Sequence, residues 1–228
     1  MLTFAKMMSR LTQHYQHVDS PVAQGPFALV MWENACYLLP DERRREVFET
    51  LRERVGMSPD SIARAPDATL LPVARRGGMR PETRVFRWRE IARITLEQFD
   101  GDLDRILDMP YADAKRALKR FPNIGDPGAE KILLFCGIAS GLPLESNGLR
   151  VLVRMGWARQ QQNYGRMYRD VQQNIAPVVP RDVTALKDTF LLLQEHGRAT
   201  CKNKSPRCQQ CTLATGCDYA KRTASEFL

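Results

Sequence analysis

Residues 197–219 read GRATCKNKSPRCQQCTLATGCDY, a stretch that contains four of the six cysteines in the chain. The spacing is C-x6-C-x2-C-x5-C, and the four residues are Cys201, Cys208, Cys211 and Cys217. Four thiolates this close in sequence can surround one metal centre and tie a loop-rich tail into a compact unit.

Three structures compete for these four thiols. An iron–sulfur cluster takes four soft ligands, and a set of four cysteines meets that need. An all-cysteine zinc site usually has two C-x2-C pairs, whereas only Cys208 and Cys211 form one here. Two disulfides would suit a secreted protein. Cys36 and Cys136 lie far away in apolar helical patterns, and we expect both to be buried small hydrophobic residues.

The composition is that of a folded protein with a basic surface. The chain has 228 residues, 43% hydrophobic and 26% charged, with a net charge of +8 and a pI of about 9.4. The excess of cations favours a polyanionic partner. No apolar run approaches the ~18 residues of a membrane span, and the N-terminus lacks a signal-peptide core. We therefore expect a cytosolic location, where thiols stay reduced and favour metal. Our expectation for the protein is a monomer in the bacterial cytoplasm and nucleoid.

Hydrophobic periodicity predicts an all-α protein. We expect helices over 1–20, 27–38, 41–56 and 56–72, then one marked by Trp88 to Phe99, a short one near 103–107 and one over 111–120. Residues 74–84 are predicted to form a Gly-rich basic loop. Strand-like alternation is almost absent.

Residues 118–137, LKRFPNIGDPGAEKILLFCG, predict two helices joined by a tight turn. Pro122 ends the first helix, and Asn123-Ile124-Gly125 forms the turn. Small residues such as Gly125 and Gly128 would let backbone N–H groups at a helix N-terminus approach a phosphate. Asn123 would lie at the same contact. An ordinary αα-hairpin is the alternative.

Residues 144–154, LESNGLRVLVR, predict a helix that buries an apolar face. Ser146 or Asn147 can cap its N-terminus. Leu149 and Leu152 would then point inward together with Val153.

These three segments resemble the endonuclease III family of helix-hairpin-helix DNA glycosylases. The cysteine spacing is similar to that family's [4Fe-4S] loop, including the approaches HGRATC and KSPRC, and FPNIG is similar to its hairpin. Residues 144–154 resemble the segment that carries the catalytic carboxylate, above all in the adenine glycosylase branch. The resemblance runs from about residue 27 to 219.

The resemblance implies two helical domains with a DNA-binding cleft between them. Residues 24–140 would form a six-helix barrel that bears the hairpin. Residues 1–23 and 141–228 would form the domain that holds a [4Fe-4S] cluster. The implied partner is double-stranded DNA with a damaged or mispaired base, and the implied reaction is hydrolysis of its N-glycosidic bond.

Glu145 stands where the family has its catalytic Asp, and it is the candidate carboxylate. Asn147 matches the family pattern beside it and would contact DNA. A carboxylate next to the anomeric carbon would stabilise the positive charge that develops as the base departs. The alternative is a Glu at a helix start that is stabilised by the helix dipole and does nothing else.

Bifunctional family members use a Lys that attacks the sugar, and here that position is Pro127. Lys131 lies one turn further along the same helical face and could substitute, although we expect a solvated or phosphate-binding Lys there. The resemblance therefore predicts a monofunctional enzyme. A bifunctional enzyme that uses Lys131, and an inactive DNA-binding protein on the same scaffold, are the alternatives.

Three further elements are candidates for contact with the substrate. Glu33 is a second candidate for protonation of the base, although an ungapped alignment puts Asn34 at the family position. Leu38 and Leu39 replace a family Gln that fills the hole left by the flipped base, so an apolar wedge or two core leucines are both open. In the loop 202–207, we expect three cations to contact phosphates: Lys202, Lys204 and Arg207.

Overall fold

The computed structural model describes residues 2–37 and 39–225, and of residues 224 and 225 it describes the backbone. This part of the chain contains no β-strand and forms twelve α-helices. They are α1 (Phe4–Tyr15), α2 (Pro26–Glu33), α3 (Asp41–Arg54), α4 (Pro59–Arg64), α5 (Asp67–Arg76), α6 (Pro81–Phe99), α7 (Tyr111–Leu118), α8 (Asp126–Phe135), α9 (Ser146–Met155), α10 (Tyr164–Ile175), α11 (Val183–Ala199) and α12 (Asp218–Ser225). The all-α prediction is confirmed.

The chain divides into two compact units. One unit is Pro21–Ile138, and the other combines the chain up to Ser20 with the chain from Ala139 onward. Among the described residues, no helix is both long and apolar enough to cross a membrane.

The unit from Pro21 to Ile138 is built around α6. The helix buries Trp88, Ile91 and Ala92 on the predicted face and packs against α2, α4 and α5. Trp88 also donates its indole N–H to the backbone oxygen of Asn34, so the apolar centre of the unit is tied to the end of α2.

Two helix predictions in this unit are wrong in extent. The helix expected over 27–38 ends at Glu33, and the one expected over 56–72 is two helices, α4 and α5. Pro66 lies at the break, where it is the N-cap residue of α5, because a proline cannot supply the N–H that would continue α4. Helix α5 then runs into the segment predicted as a loop, which is reduced to residues 77–80.

In the other unit, α9 packs along α11. The predicted inward residues Leu149, Leu152 and Val153 are all buried. The backbones approach closely at Gly197 of α11, where an added Cβ would lie 2.6 Å from the Cβ of Asn147. This packing fixes the N-terminal turn of α9, which carries the candidate carboxylate.

Candidate functional site

Glu145 is the N-cap residue of α9, in place of the predicted Ser146 or Asn147. Its Oε1 accepts a hydrogen bond from the backbone N–H of Gly148 at 2.7 Å, and its Oε2 accepts from Asn147 Nδ2 at 2.8 Å. An extended backbone at Glu145 aims the carboxylate back over the first turn, where free N–H groups attract an anion. The half-buried carboxylate is therefore fixed in place by its own helix.

Asn147 holds this carboxylate and is itself held by Arg150. Arg150 donates from Nη2 to Asn147 Oδ1 and to the backbone oxygen of Gly197, both at 2.7 Å. Its Nε donates to the backbone oxygen of Cys201 at 2.9 Å. A continuous chain of hydrogen bonds thus joins the first tail cysteine to Glu145. The sequence reasoning did not single out Arg150, although its place on the α9 segment was a usable signal.

Arg154, one turn after Arg150, fixes the start of the cysteine loop. It donates to the backbone oxygens of Cys201, Lys202 and Asn203, at 2.7 to 3.3 Å, and Nη1 lies 3.3 Å from Cys201 Sγ. Its guanidinium also stacks over the ring of Tyr219, 4.5 Å from the centroid. The sequence reasoning did not single out Arg154 either.

All six cysteines are free thiols, so the alternative of two disulfides among the tail cysteines is not realised. Burial, together with the negative charges of Cys201, Cys217 and Cys208, raises the pKa of Cys211 to about 11. A backbone N–H from Leu213 opposes this shift. The four tail thiols are thus near neighbours, yet within the described part of the chain no three His, Cys, Asp or Glu side chains are grouped so as to hold a metal ion.

His196 contributes to the same region and was missed as a functional candidate. Its Nε2 lies 3.5 Å from Cys211 Sγ, and its Nδ1 lies 3.0 Å from the Tyr15 hydroxyl. Burial lowers the pKa of His196 to about 4, so the ring is neutral at pH 7.

In the other unit, the two weaker catalytic candidates form an ion pair. Lys131 Nζ lies 2.8 Å from Glu33 Oε1, and the two side chains are 7% and 20% exposed. Lys131 is therefore not the solvated side chain that we expected, because α8 packs this face against α2. Burial alone would raise the pKa of Glu33, but the charges of Lys131 and Arg44 outweigh burial and hold that pKa below its usual value.

The hairpin turn is fixed to the end of α2 by Asn34, which is buried. Asn34 donates from Nδ2 to the backbone oxygen of Pro122 at 3.0 Å and accepts from Asn123 Nδ2 at 2.9 Å. Asn123 has φ 60 and is exposed, as is Gly125 at the N-terminus of α8. Gly128 follows in the first turn of that helix and is half-buried.

A cavity of about 580 Å³ lies beside this turn, and its lining includes Glu33, Asn123, Tyr37, Met79, Arg80 and Arg87. Two large apolar side chains at the cavity are exposed to solvent, Met79 by 70% and Tyr37 by 56%. Leu39 instead packs against the core of the unit, and Leu38 lies outside the described residues. Among the described residues that line this cavity, the exposed large apolar side chains are therefore Met79 and Tyr37.

The loop between the first two cysteines presents its cations at the surface. Lys204 and Arg207 are exposed, whereas Lys202 is half-buried. The backbone N–H of Arg207 donates to the oxygen of Thr200 at 3.0 Å and closes the loop at its base.

No family model matches the sequence. Several curated proteins do. The endonuclease III of Sulfolobus acidocaldarius is 26% identical over 173 residues, which cover 75% of this chain and 72% of that protein. The endonuclease III of Thermotoga maritima is 24% identical over 95% of this chain and 91% of its own length. A thymine/uracil-DNA glycosylase of Pyrobaculum aerophilum is 27% identical over 84% and 79%.

Solved structures show the same fold. A trapped covalent intermediate of endonuclease III with DNA matches 98% of this chain and 100% of its own, with a TM-score of 0.76 and 18% identity. A thermostable thymine-DNA glycosylase matches 96% of each chain, with a TM-score of 0.75 and 14% identity. The fold is thus the two-domain helical fold of endonuclease III. In sequence and in fold the chain is thus similar to endonuclease III and to thymine/uracil-DNA glycosylases.

Proposed function

We propose that this protein is a base-excision-repair DNA glycosylase that hydrolyses the N-glycosidic bond of a damaged or mispaired base in double-stranded DNA. The observation that carries the proposal is the carboxylate of Glu145, held by Gly148 and Asn147 at the N-terminus of α9. The endonuclease III and thymine/uracil-DNA glycosylase relatives support the same reaction.

The chemistry follows from the charge of Glu145. When the bond between C1′ and the base nitrogen breaks, its electrons leave with the base and the sugar becomes positively charged. A fixed carboxylate stabilises that charge without reorganising during the reaction. It can also accept a proton from the water whose oxygen adds to C1′. The base must first leave the helical stack, which costs a few kcal/mol.

Cleavage of the strand is not part of the proposed reaction. An imine with the sugar requires a free amine, and Pro127 at the family position has none. The Nζ of Lys131 is buried in an ion pair with Glu33, so it is a poor nucleophile. We propose that the enzyme is monofunctional and leaves an abasic site.

We also propose that the four tail thiols hold a [4Fe-4S] cluster, which endonuclease III relatives usually carry. The donor set is of the right kind, because four free thiols lie within residues 201–217, backbone N–H groups act on Cys211 and Cys217, and Arg154 approaches Cys201 Sγ. When bound, the cluster would supply iron–thiolate bonds that fix the shape of the loop. Lys202, Lys204 and Arg207 would then contact DNA phosphates with little ordering entropy left to lose.

The hairpin would bind the DNA backbone as well. Exposed backbone N–H groups near Gly125 and Gly128 can approach a phosphate without reading sequence. Asp126 lies at the same helix start, but Lys119 pairs with it at 3.0 Å and Lys115 at 3.2 Å. These contacts lower the pKa of Asp126 and offset its negative charge. For the apolar wedge, we propose Met79 and Tyr37 in addition to Leu38, and Leu39 is withdrawn because it packs against the core of the unit.

The test is base release by Glu145→Gln on a panel of damaged and mispaired duplexes, followed by alkali to reveal abasic sites. The amide keeps the size of the side chain and removes its charge. We expect base release to slow by several orders of magnitude while duplex binding persists. The matched control is Asp182→Asn, because Asp182 caps α11 in the same unit and accepts from the Ala185 N–H at 2.9 Å.

The outcomes separate the candidate functions. Full activity in Glu145→Gln would exclude this carboxylate and direct attention to Glu33. Duplex binding without base release in the wild type, on every duplex of the panel, would support an inactive DNA-binding protein. A borohydride crosslink in the wild type that is lost in Lys131→Ala would show a bifunctional enzyme.

A further inference from the structure

A second cavity, of about 1090 Å³, lies at the C-terminal end of α9. All of its lining residues belong to the unit that carries the cysteine loop. Among the charged residues that line it, four cations face a single carboxylate. The cations are Arg154, Arg159, Lys221 and Arg222, and the carboxylate is Asp218. Such an excess of cations in a concave site favours an anionic ligand.

The cavity is separate from the candidate catalytic site. Glu145 precedes the first turn of α9, whereas Gly156 and Trp157, which line the cavity, follow its last turn. A ten-residue helix rises about 15 Å, so the two sites lie at opposite ends of one rigid element.

The floor of the cavity is already ordered. Arg154 is held by the three backbone oxygens of residues 201–203 and by the ring of Tyr219. Asn174 donates its side-chain N–H to the backbone oxygen of Trp157 at 2.7 Å. A ligand in the cavity would lie near the charge of Arg154, whose side-chain entropy has already been lost, and this favours binding.

Trp157 gives the lining an aromatic ring. The ring packs edge-on against Phe4, with centroids 5.8 Å apart, which restrains its position. Its indole Nε1 is buried from solvent and has no hydrogen-bond partner among the described residues, so the proposed site does not rely on it as a donor.

We propose that this cavity is a second binding site, specific for the phosphate groups of a polyphosphate, a nucleotide or a nucleic-acid strand. Guanidinium groups match phosphate geometry with paired N–H donors, and two of the cations here, Arg159 and Arg222, are exposed arginines. The volume exceeds what one phosphate fills and is at the upper end of the range for small-molecule sites. The site therefore fits several linked phosphates better than a single anion.

The test measures binding to the full chain as purified, without lesion DNA, so it does not depend on base release. The probes are inorganic pyrophosphate and an oligothymidylate of about 12 nucleotides, titrated by calorimetry and by tryptophan emission, which Trp157 would report. We expect saturable binding to at least one probe and a steep loss of affinity with added salt.

The variant is Arg159→Glu with Arg222→Glu, because both side chains are exposed. We expect a loss of affinity of at least about tenfold, since two attractions become repulsions. The matched control is Arg52→Glu with Arg54→Glu on α3, two exposed arginines of the other unit that lie outside the cavity. That control should lose less than about twofold if the site is local. Should the glutamate pair fold poorly, Arg159→Gln with Arg222→Gln is expected to lose at least about threefold.

Each result decides for or against the site. Saturable pyrophosphate binding identifies a small polyphosphate ligand, and saturation by the oligonucleotide alone identifies a strand. Equal losses in the cavity variant and the α3 control would overturn the proposal in favour of nonspecific charge attraction. Equal binding of a polyglutamate peptide would overturn its specificity for phosphate, and the absence of saturation by either probe would overturn it altogether.

Discussion

Replacement of Lys131 by Met tests the buried ion pair at the hairpin. The change removes the cation 2.8 Å from Glu33 and leaves that carboxylate, 20% exposed, with Arg44 at 4.0 Å. Breaking a buried pair from one side typically costs about 3–5 kcal/mol. Since Arg44 and some solvent remain, we expect about 3 kcal/mol, which lowers the melting temperature of a chain of this size by about 6–12 °C.

The loss should depend on pH in a defined direction. The folded-state pKa of Glu33 is depressed, so its contribution to stability is present above the unfolded value of about 4.3 and is lost as pH falls through the folded value. We therefore expect the stability difference between wild type and Lys131→Met to be full at pH 7 and to shrink in strong acid. Urea unfolding followed by tryptophan emission at each pH measures it, because Trp32 and Trp88 lie in the same unit.

Two further variants test whether the ion pair itself stabilises the unit. Lys119→Met breaks an exposed pair with Asp126 on the same hairpin and should cost at most about 1 kcal/mol. The double variant Glu33→Gln with Lys131→Met should recover much of the loss, with a coupling energy of about 2–3 kcal/mol. If Lys131→Met is as stable as Lys119→Met, then the ion pair does not stabilise the unit. The same conclusion follows if the stability losses of Glu33→Gln and Lys131→Met simply add in the double variant.

Three other sets of substitutions test two packing contacts of the structure and the proposed contact of the cysteine loop with DNA. Arg84→Met should cost about 3 kcal/mol in urea unfolding, because this buried arginine donates to the backbone oxygens of Ala74, Gly77, Gly78 and Met79. Gly197→Ala should cost about 1–3 kcal/mol in the same assay, since its Cβ would overlap Asn147, and wild-type stability would contradict the packing of α9 on α11. In the 202–207 loop, replacement of Lys202, Lys204 and Arg207 by Ala should reduce the salt slope of DNA binding by up to about three. An unchanged slope would exclude the proposed contact of these cations with phosphates.

Local patterns predicted the helical class well. The apolar spacing of α6 predicted its buried face, and Pro122 and Gly125 correctly marked the hairpin turn. Helix ends were predicted poorly where a side chain competes with the backbone. Asn34 ends α2 early because its Nδ2 donates both to the Val30 oxygen one turn back and to the Pro122 oxygen. The second of these bonds spans 88 residues, so no local pattern could have revealed it.

The environment of Lys131 was unpredictable for the same reason. In sequence it is a Lys among apolar residues of α8, which fits a side chain that extends to solvent. Its partner Glu33 lies 98 residues away, and only the packing of α8 on α2 brings the two together. Burial and pairing are properties of the tertiary contact and not of the helix, so the sequence predicted the position of the amine but not its environment.

The candidate carboxylate shows how a helix start can serve structure and chemistry together. As the N-cap of α9, Glu145 satisfies the Gly148 N–H, which is the purely structural role considered from the sequence. Capping alone would need only that contact, since the second oxygen could face water. Here the second oxygen is held by Asn147, whose own oxygen is held by Arg150, which in turn binds the Cys201 backbone. A carboxylate fixed at both oxygens, and tied to the start of the cysteine loop, is more restrained than a cap requires and has the fixed orientation that charge stabilisation at a reacting sugar needs.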